Sequence, residues 1–255
     1  MSAAPLDAHV VHGDTPATIR ARASLDLIGA WCAVAYILML LLGWGLVAGF
    51  VPPLHPNATR DEIVGLYLSD HTRIRAGMVV ILFGALVFIP FGAVLTRLMT
   101  EVEGRPGVLT YTALLGAAGN MILTFYPAMT WLIAAYRPER NPDITYLMSD
   151  AGWLQFVGGA TVLLAMPLAI AGAAFVDRRQ DPPFPRWAGY LNLWLFLLII
   201  PDQLLFFFHE GPLSWNGLFG LWVPVTAFAV WFLSTFHLVR RAALRSRGES
   251  IDGAP

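Results

Sequence analysis

The apolar positions of this chain neither alternate nor recur with helical spacing; they run on. Six mostly apolar stretches, 25–50, 74–99, 108–136, 153–176, 187–208 and 218–239, each exceed the roughly 20 residues that carry a helix across a bilayer. Backbone polar groups in hydrocarbon are satisfied only in helices or closed barrels. The pattern therefore predicts an all-α, polytopic membrane bundle of six transmembrane helices. The connections are short, which makes successive helices antiparallel neighbours. Residues 1–24 form a polar N-terminal tail, 25–240 the transmembrane domain and 241–255 a C-terminal tail. The first stretch is longer than the apolar core of a signal peptide, about 7–15 residues, so it is expected to be a retained span.

Two polar segments carry helix-start signals. Thr59-Arg60-Asp61-Glu62 is an S/T-x-x-E capping box, in which side chains and backbone amides of a first turn satisfy each other. Asn141-Pro142-Asp143 places a capping residue before a proline at the first helical position. Apolar residues follow each at helical spacing, which predicts two short amphipathic helices on the outer face.

Arginine placement orients the bundle. The chain has no lysine, and Lys plus Arg total 16. Arg60, Arg73, Arg75, Arg137 and Arg140 fall on one side; the other eleven fall on the side that holds both tails. The positive-inside rule makes the tail side cytoplasmic. Charged residues are 13% of the chain, against about 25% in a soluble domain. A net charge of -1 gives no electrostatic reason to expect nucleic acid as a partner. Cys32, the single cysteine, excludes an intrachain disulfide.

Four strings, YLSDHTRIRAGM (67–78), AAYRPERNPDIT (134–145), FPRWAGYLNLW (184–194) and GPLSWNGLFGLWVP (211–224), together resemble an uncharacterised family of six-span membrane proteins from actinobacteria and related high-GC bacteria. The resemblance covers residues 25 to 240 and implies a bacterial cytoplasmic (inner) membrane, multi-pass. It carries no activity and no functional residues.

Candidate chemistry begins with Asp202, a carboxylate inside the fifth apolar stretch. Such a residue faces a partner, a cavity or water, and is a functional-site hypothesis by default. On an α-helix, Asp202 and His209 would share a face, with Gln203 and Glu210 on the adjacent stripe. That predicts a polar track from the outer surface into the membrane. Five of the six spans hold an internal proline: Pro90, Pro127, Pro167, Pro201 and Pro224. Pro127, Pro201 and Pro224 fall about 11–14 Å below the outer helix ends, at the level of Asp202. Bends there would open a cavity; five unrelated packing kinks are the plainer reading.

The candidate binding residues are Asp202, Gln203, His209, Glu210, His71, Arg73 and Arg75, the last five expected at the mouth of an outward-facing pocket. The plainer reading pairs Asp202 with an arginine that reaches down from the outer side, Arg73, Arg75 or Arg137. Asn120, Thr124 and Pro127 share one face of the third span and read as packing; Ala165, Ala169 and Ala173 read as a small-residue contact face. Trp153, Trp187 and Trp215 fit an interfacial belt, and Trp44, Trp131 and Trp194 the lining of an apolar pocket. No recognised metal, nucleotide or nucleophile motif is present, so neither metal nor cofactor is expected. The leading expectation is a protein that binds or transports a small lipophilic molecule or an ion around Asp202. One alternative is a membrane enzyme acting on a lipid-like substrate, with Asp202 or His71 as general acid/base. Another is a non-catalytic subunit of a larger membrane complex, a hetero- or homo-oligomer within the bilayer.

Overall fold

The computed structural model describes residues 15–248, and every regular element in that range is helical. The elements are α1 (Pro16–Leu40), α2 (Arg60–Glu103), α3 (Val108–Tyr136), α4 (Pro142–Gly158), α5 (Ala165–Val176), α6 (Arg186–Ile199) and α7 (Val223–Ser246). Shorter non-α segments extend several of them. Six resulting spans, Ala17–Val47, Arg60–Glu103, Val108–Tyr136, Pro142–Val176, Arg186–Phe207 and Gly211–Ser246, are long and apolar enough to cross a membrane. Over the described residues the chain is thus all-helical, with the architecture of a multi-pass membrane protein.

The first helix begins well before the apolar run, where the Thr15 hydroxyl accepts the Thr18 amide at 3.2 Å. The capping box closes as the sequence predicts: the Glu62 amide donates to Thr59 Oγ1 at 3.3 Å, and the Thr59 amide donates to Glu62 Oε2 at 2.7 Å. Asn141 caps α4 in the same manner, its Oδ1 accepting the Asp143 amide at 2.9 Å. Neither cap starts a separate surface helix. α2 runs unbroken for 44 residues, and α4 continues directly into the fourth span. At 1.5 Å per residue α2 is about 66 Å long, twice the hydrocarbon thickness. Its charge-free stretch, 76–96, is about 31 Å long and matches the bilayer core. The turns from Arg60 to Arg75 therefore stand beyond the apolar slab, on the side opposite residues 15 and 248, here called distal.

α2 is the centre of the bundle, packed most extensively against α3 and α1, while α7 closes back on α1 and α5 on α6. Small residues permit the tightest crossing. A methyl on Gly43 would stand 2.6 Å from the Gly77 carbonyl oxygen, so spans one and two meet backbone to backbone. Ala169 and Ala173 are buried, and Ala165 stands against Gly116 of α3. On the side opposite the distal one, Arg97 of α2 donates to both carboxylate oxygens of Asp26 of α1, at 3.0 and 2.7 Å, and also to Glu101. Asp181, between α5 and α6, pairs with Arg241 and Arg245 of α7.

The prolines act on half of the spans in the way their chemistry requires. Pro90 and Pro127 sit within continuous α-helix. Pro201 opens a 3-10 stretch, Ile200–Phe207, and Pro224 follows a π-helical turn, Leu218–Trp222. Pro167 follows a 3-10 segment, Gly159–Leu164. A proline lacks the amide proton and its ring crowds the carbonyl four residues earlier, so the ladder beside it changes pitch.

Candidate functional site

Asp202 is fully buried, and the 3-10 pitch explains how. At three residues per turn, side chains at i and i+3 eclipse. Ile199 (3% exposed), Asp202 (0%) and Leu205 (3%) accordingly form one buried stripe. The same pitch ends the track expected from α-helical spacing. The helix stops at Phe207, Phe208 is extended (φ -129, ψ 120), and His209 lies exposed beyond it. Asp202 and His209 do not share a face.

The carboxylate has few partners. Gln203 Nε2 donates to Asp202 Oδ2 at 3.3 Å, while Asp202 Oδ1 has no hydrogen-bond partner. The same Gln203 amide donates at 3.1 Å to the carbonyl of Gly158, the last residue of α4 before the pitch changes. Gln203 thereby ties the non-α parts of spans four and five together. The arginines expected to reach Asp202 are engaged elsewhere. Arg73 pairs with Asp70 at 3.3 Å, Arg75 donates to Thr72 at 3.4 Å, and Arg137 stacks on the Tyr136 ring. No arginine among the described residues forms an ion pair with Asp202.

The candidate residues therefore lie at two levels. Asp202 and Gln203 are within the bundle, beside Gly158 of the neighbouring span. His71, Arg73, Arg75, His209 and Glu210 are at the distal surface. There His71 Nδ1 lies 3.2 Å from the Leu68 carbonyl oxygen, and Glu210 accepts from Asn57 of the first distal loop. Among the described residues, no three His, Cys, Asp or Glu side chains converge as a metal would require.

Between the two levels lies a roof of six aromatic rings. Trp131 packs on Phe50, Trp153 and Phe156 with centroids 5.1, 5.3 and 5.6 Å away. Trp44 packs on Trp153 at 5.8 Å, and Trp215 stacks on Trp153 at 6.4 Å with an interplanar angle of 11°. Trp215 is further tied by its indole N–H to the Leu54 carbonyl at 2.9 Å. Trp153 and Trp215 are therefore core residues rather than parts of an interfacial belt. Trp194 is 65% exposed on the outside of the bundle, not in a pocket. Trp187, at the start of α6, is half-exposed.

Beneath the roof is a cavity of about 130 Å³. Its walls come from Tyr36, Leu40, Leu41 and Trp44 of span one, Thr124 of α3, Phe156 and Ala160 of span four, and Val225 and Phe228 of span six. Ile199 also lines it, so the stripe that carries Asp202 begins at this cavity. Leu41 and Val225, on its rim, are 52% and 37% exposed on the apolar outside of the bundle. The cavity lining thus reaches the apolar outside of the bundle at spans one and six. Its polar end is a hydrogen-bonded pair, the Tyr36 hydroxyl and Thr124 Oγ1 at 2.8 Å. Tyr36 packs on Phe88, which lies twelve residues, about 18 Å, from the distal end of the charge-free stretch of α2. The polar pair is therefore near the middle of the bilayer.

Sequence reasoning did not single out Tyr36 or Asp26. A phenol in an apolar run was the available signal for Tyr36, since a buried hydroxyl finds a partner. An acid at the start of the first span, with an arginine near the end of the second, was the signal for the Asp26–Arg97 bridge. Comparison of the chain with protein-family models, with curated proteins and with solved structures returned no match.

Proposed function

We propose that this multi-pass protein resides in a bacterial inner membrane and takes a small lipophilic molecule from the bilayer into the cavity beneath the aromatic roof. The arginine bias makes the distal side the outer one, so the cavity serves the outer leaflet. The observation that carries the reading is an almost wholly apolar chamber whose lining includes Leu41 and Val225, both exposed on the outside of the bundle, which supports an opening toward lipid. Apolar chambers with a few placed polar groups are the usual form of small-molecule sites. Asp202, one 3-10 turn from the lining residue Ile199 and with an unpartnered oxygen, is the polar group next reached from the chamber. His71, Arg73, Arg75, His209 and Glu210 edge the outer face above it. A binding or transport role fits this arrangement better than catalysis. An enzyme needs convergent titratable groups, and the one side chain bonded to Asp202 is the amide of Gln203.

The test is extraction of the protein from its native membrane in mild detergent, followed by mass spectrometry of the lipids that remain bound. Wild type is expected to retain a defined lipophile near stoichiometric amount. Ala160→Phe, which fills the chamber from span four, is expected to lose it while eluting as the same species in size-exclusion chromatography. Equal retention of the same molecules by both proteins refutes the proposal.

A further inference from the structure

Given that the chamber binds a lipophile as proposed above, its main chain sets what kind. Gly220, Leu221, Pro224 and Val225 of span six all line the chamber. Gly220 has no side chain, so what it gives to the wall is main chain. Glycine is required there, because a methyl would run into the Ser214 carbonyl of the preceding turn. In a helix the carbonyl oxygen of one residue sits beside the nitrogen of the residue four places on. For Gly220 that nitrogen belongs to Pro224, which has no proton to give. Both residues line the chamber, so the acceptor between them lies on the chamber face of span six.

The usual substitutes for the lost bond are committed elsewhere. A threonine near a proline can supply a proton to the freed backbone, but Thr226 Oγ1 donates to the Trp222 carbonyl, at 2.8 Å. Among the lining residues, Tyr36, Thr124 and Trp44 carry side-chain donors. The Tyr36 and Thr124 hydroxyls, 2.8 Å apart at the floor, bond to each other, and Thr124 bonds to the Asn120 carbonyl at 2.8 Å. The Trp44 indole nitrogen has no hydrogen-bond partner, so it does not reach Gly220 either.

An acceptor left without a proton in apolar surroundings favours a donor. The lining contains no charged side chain, so an ammonium, phosphate or carboxylate would be buried without a counter-charge. An ester, ether or ketone would face the carbonyl with nothing to donate. The cavity, at about 130 Å³, is no larger than the space of about 150 Å³ that holds one benzene. A longer tail must therefore leave past Leu41 and Val225 into the bilayer.

We infer that the chamber selects a lipophile whose polar group is a neutral hydrogen-bond donor, held by the carbonyl of Gly220 that Pro224 leaves free.

The experiment uses the full chain in phosphatidylcholine nanodiscs and an octanol carrying a diazirine in its chain. After irradiation, labelled peptides are mapped by mass spectrometry. Competition is then measured with 1-octanol and with octyl methyl ether, which has the same chain but no donor, at equal mole fraction in the bilayer. Label is expected on the span-one and span-six walls around Leu41 and Val225. One added hydrogen bond should make the alcohol the better competitor by about five- to tenfold. Pro224→Ala returns an amide proton to the Gly220 carbonyl and should bring the two competitors level. The wild-type comparison decides the inference even where that variant folds poorly. Equal competition by alcohol and ether in the wild type, with label still on the chamber walls, overturns the donor inference and leaves the binding site standing. A preference for the alcohol that persists in folded Pro224→Ala overturns the assignment to Gly220. Absence of label from those walls, or label that Ala160→Phe does not reduce, overturns the site itself and the inference with it.

Discussion

Gly152 is where the aromatic roof is most exposed to a single-atom test. A methyl at this position would stand 2.6 Å from Cε2 of Trp131 and closer still to its indole nitrogen. Trp131 cannot retreat, because it is fully buried and wedged against Phe50, Trp153 and Phe156. Relief to ordinary contact needs a shift of about 1 Å, and overpacking of this kind costs roughly 1–3 kcal/mol, the upper end applying where no neighbour can yield. Alanine regains about 1 kcal/mol of helix propensity over glycine. Gly152→Ala should therefore destabilise the protein by about 2 kcal/mol. Gly65, also within a helix, has no atom within 4 Å of the corresponding position, so Gly65→Ala should show the propensity gain alone, about 0.5–1 kcal/mol of stabilisation. Unfolding of both variants in detergent by circular dichroism gives the pair of shifts. Opposite signs support the roof as described. A Gly152→Ala variant as stable as Gly65→Ala would mean that Trp131 does not rest on Gly152, and the chamber would lose its ceiling.

Other substitutions probe the remaining supports. Arg97→Ala leaves Asp26, whose side chain is 6% exposed, without its cation and should cost about 3 kcal/mol, whereas Glu101→Ala, at 45% exposure, should change stability by less than about 0.5 kcal/mol. Equal effects in unfolding titrations would show that Asp26 is solvated. Asp202→Asn can keep the contact with Gln203 and removes the titratable group, so its unfolding midpoint should match or exceed the wild type; a loss beyond about 2 kcal/mol would make Asp202 a structural anchor. At the end of the fourth span, hydrogen bonds from Arg179 hold the Asp177 carboxyl below its ordinary value of 3.8. A carboxyl depressed by folding adds stability that is present above that value and lost as pH falls through its folded-state value. Wild type should thus lose an increment below about pH 4 that Arg179→Ala lacks throughout, and parallel midpoint-versus-pH curves for the two proteins would contradict the pairing.

The six spans were legible because each is a long apolar run, and bilayer thickness makes length a strong criterion. The caps at Thr59 and Asn141 were legible because they are local, decided by residues one to three apart. The course of span five was not. Placing Asp202 and His209 on one face assumes 3.6 residues per turn, and Pro201 changes that number for the eight residues that matter. A proline shows where the ladder breaks but not which pitch replaces it; Pro90 and Pro127 left theirs intact. The tryptophans were misplaced for a related reason. Residue type and distance from a span end cannot separate Trp153, turned into the bundle, from Trp187, turned outward, because an apolar solvent erases the polar face that orients a helix in water. The hydrogen-bonded floor of Tyr36 and Thr124 joins residues 88 positions apart, a pairing set by packing rather than by local spacing.

The account rests on a chamber that opens to lipid and not to water, and Trp44, 6% exposed on its wall, reports on that directly. Fluorescence quenching would be measured for wild type and Trp44→Phe in bilayers of phosphatidylcholine brominated along the acyl chain, and separately with aqueous iodide. The Trp44 contribution, the difference between the two proteins, should be quenched by the brominated lipid and untouched by iodide. Quenching of that contribution by iodide, with little from the lipid, would contradict the sideways opening and the proposed route of the ligand.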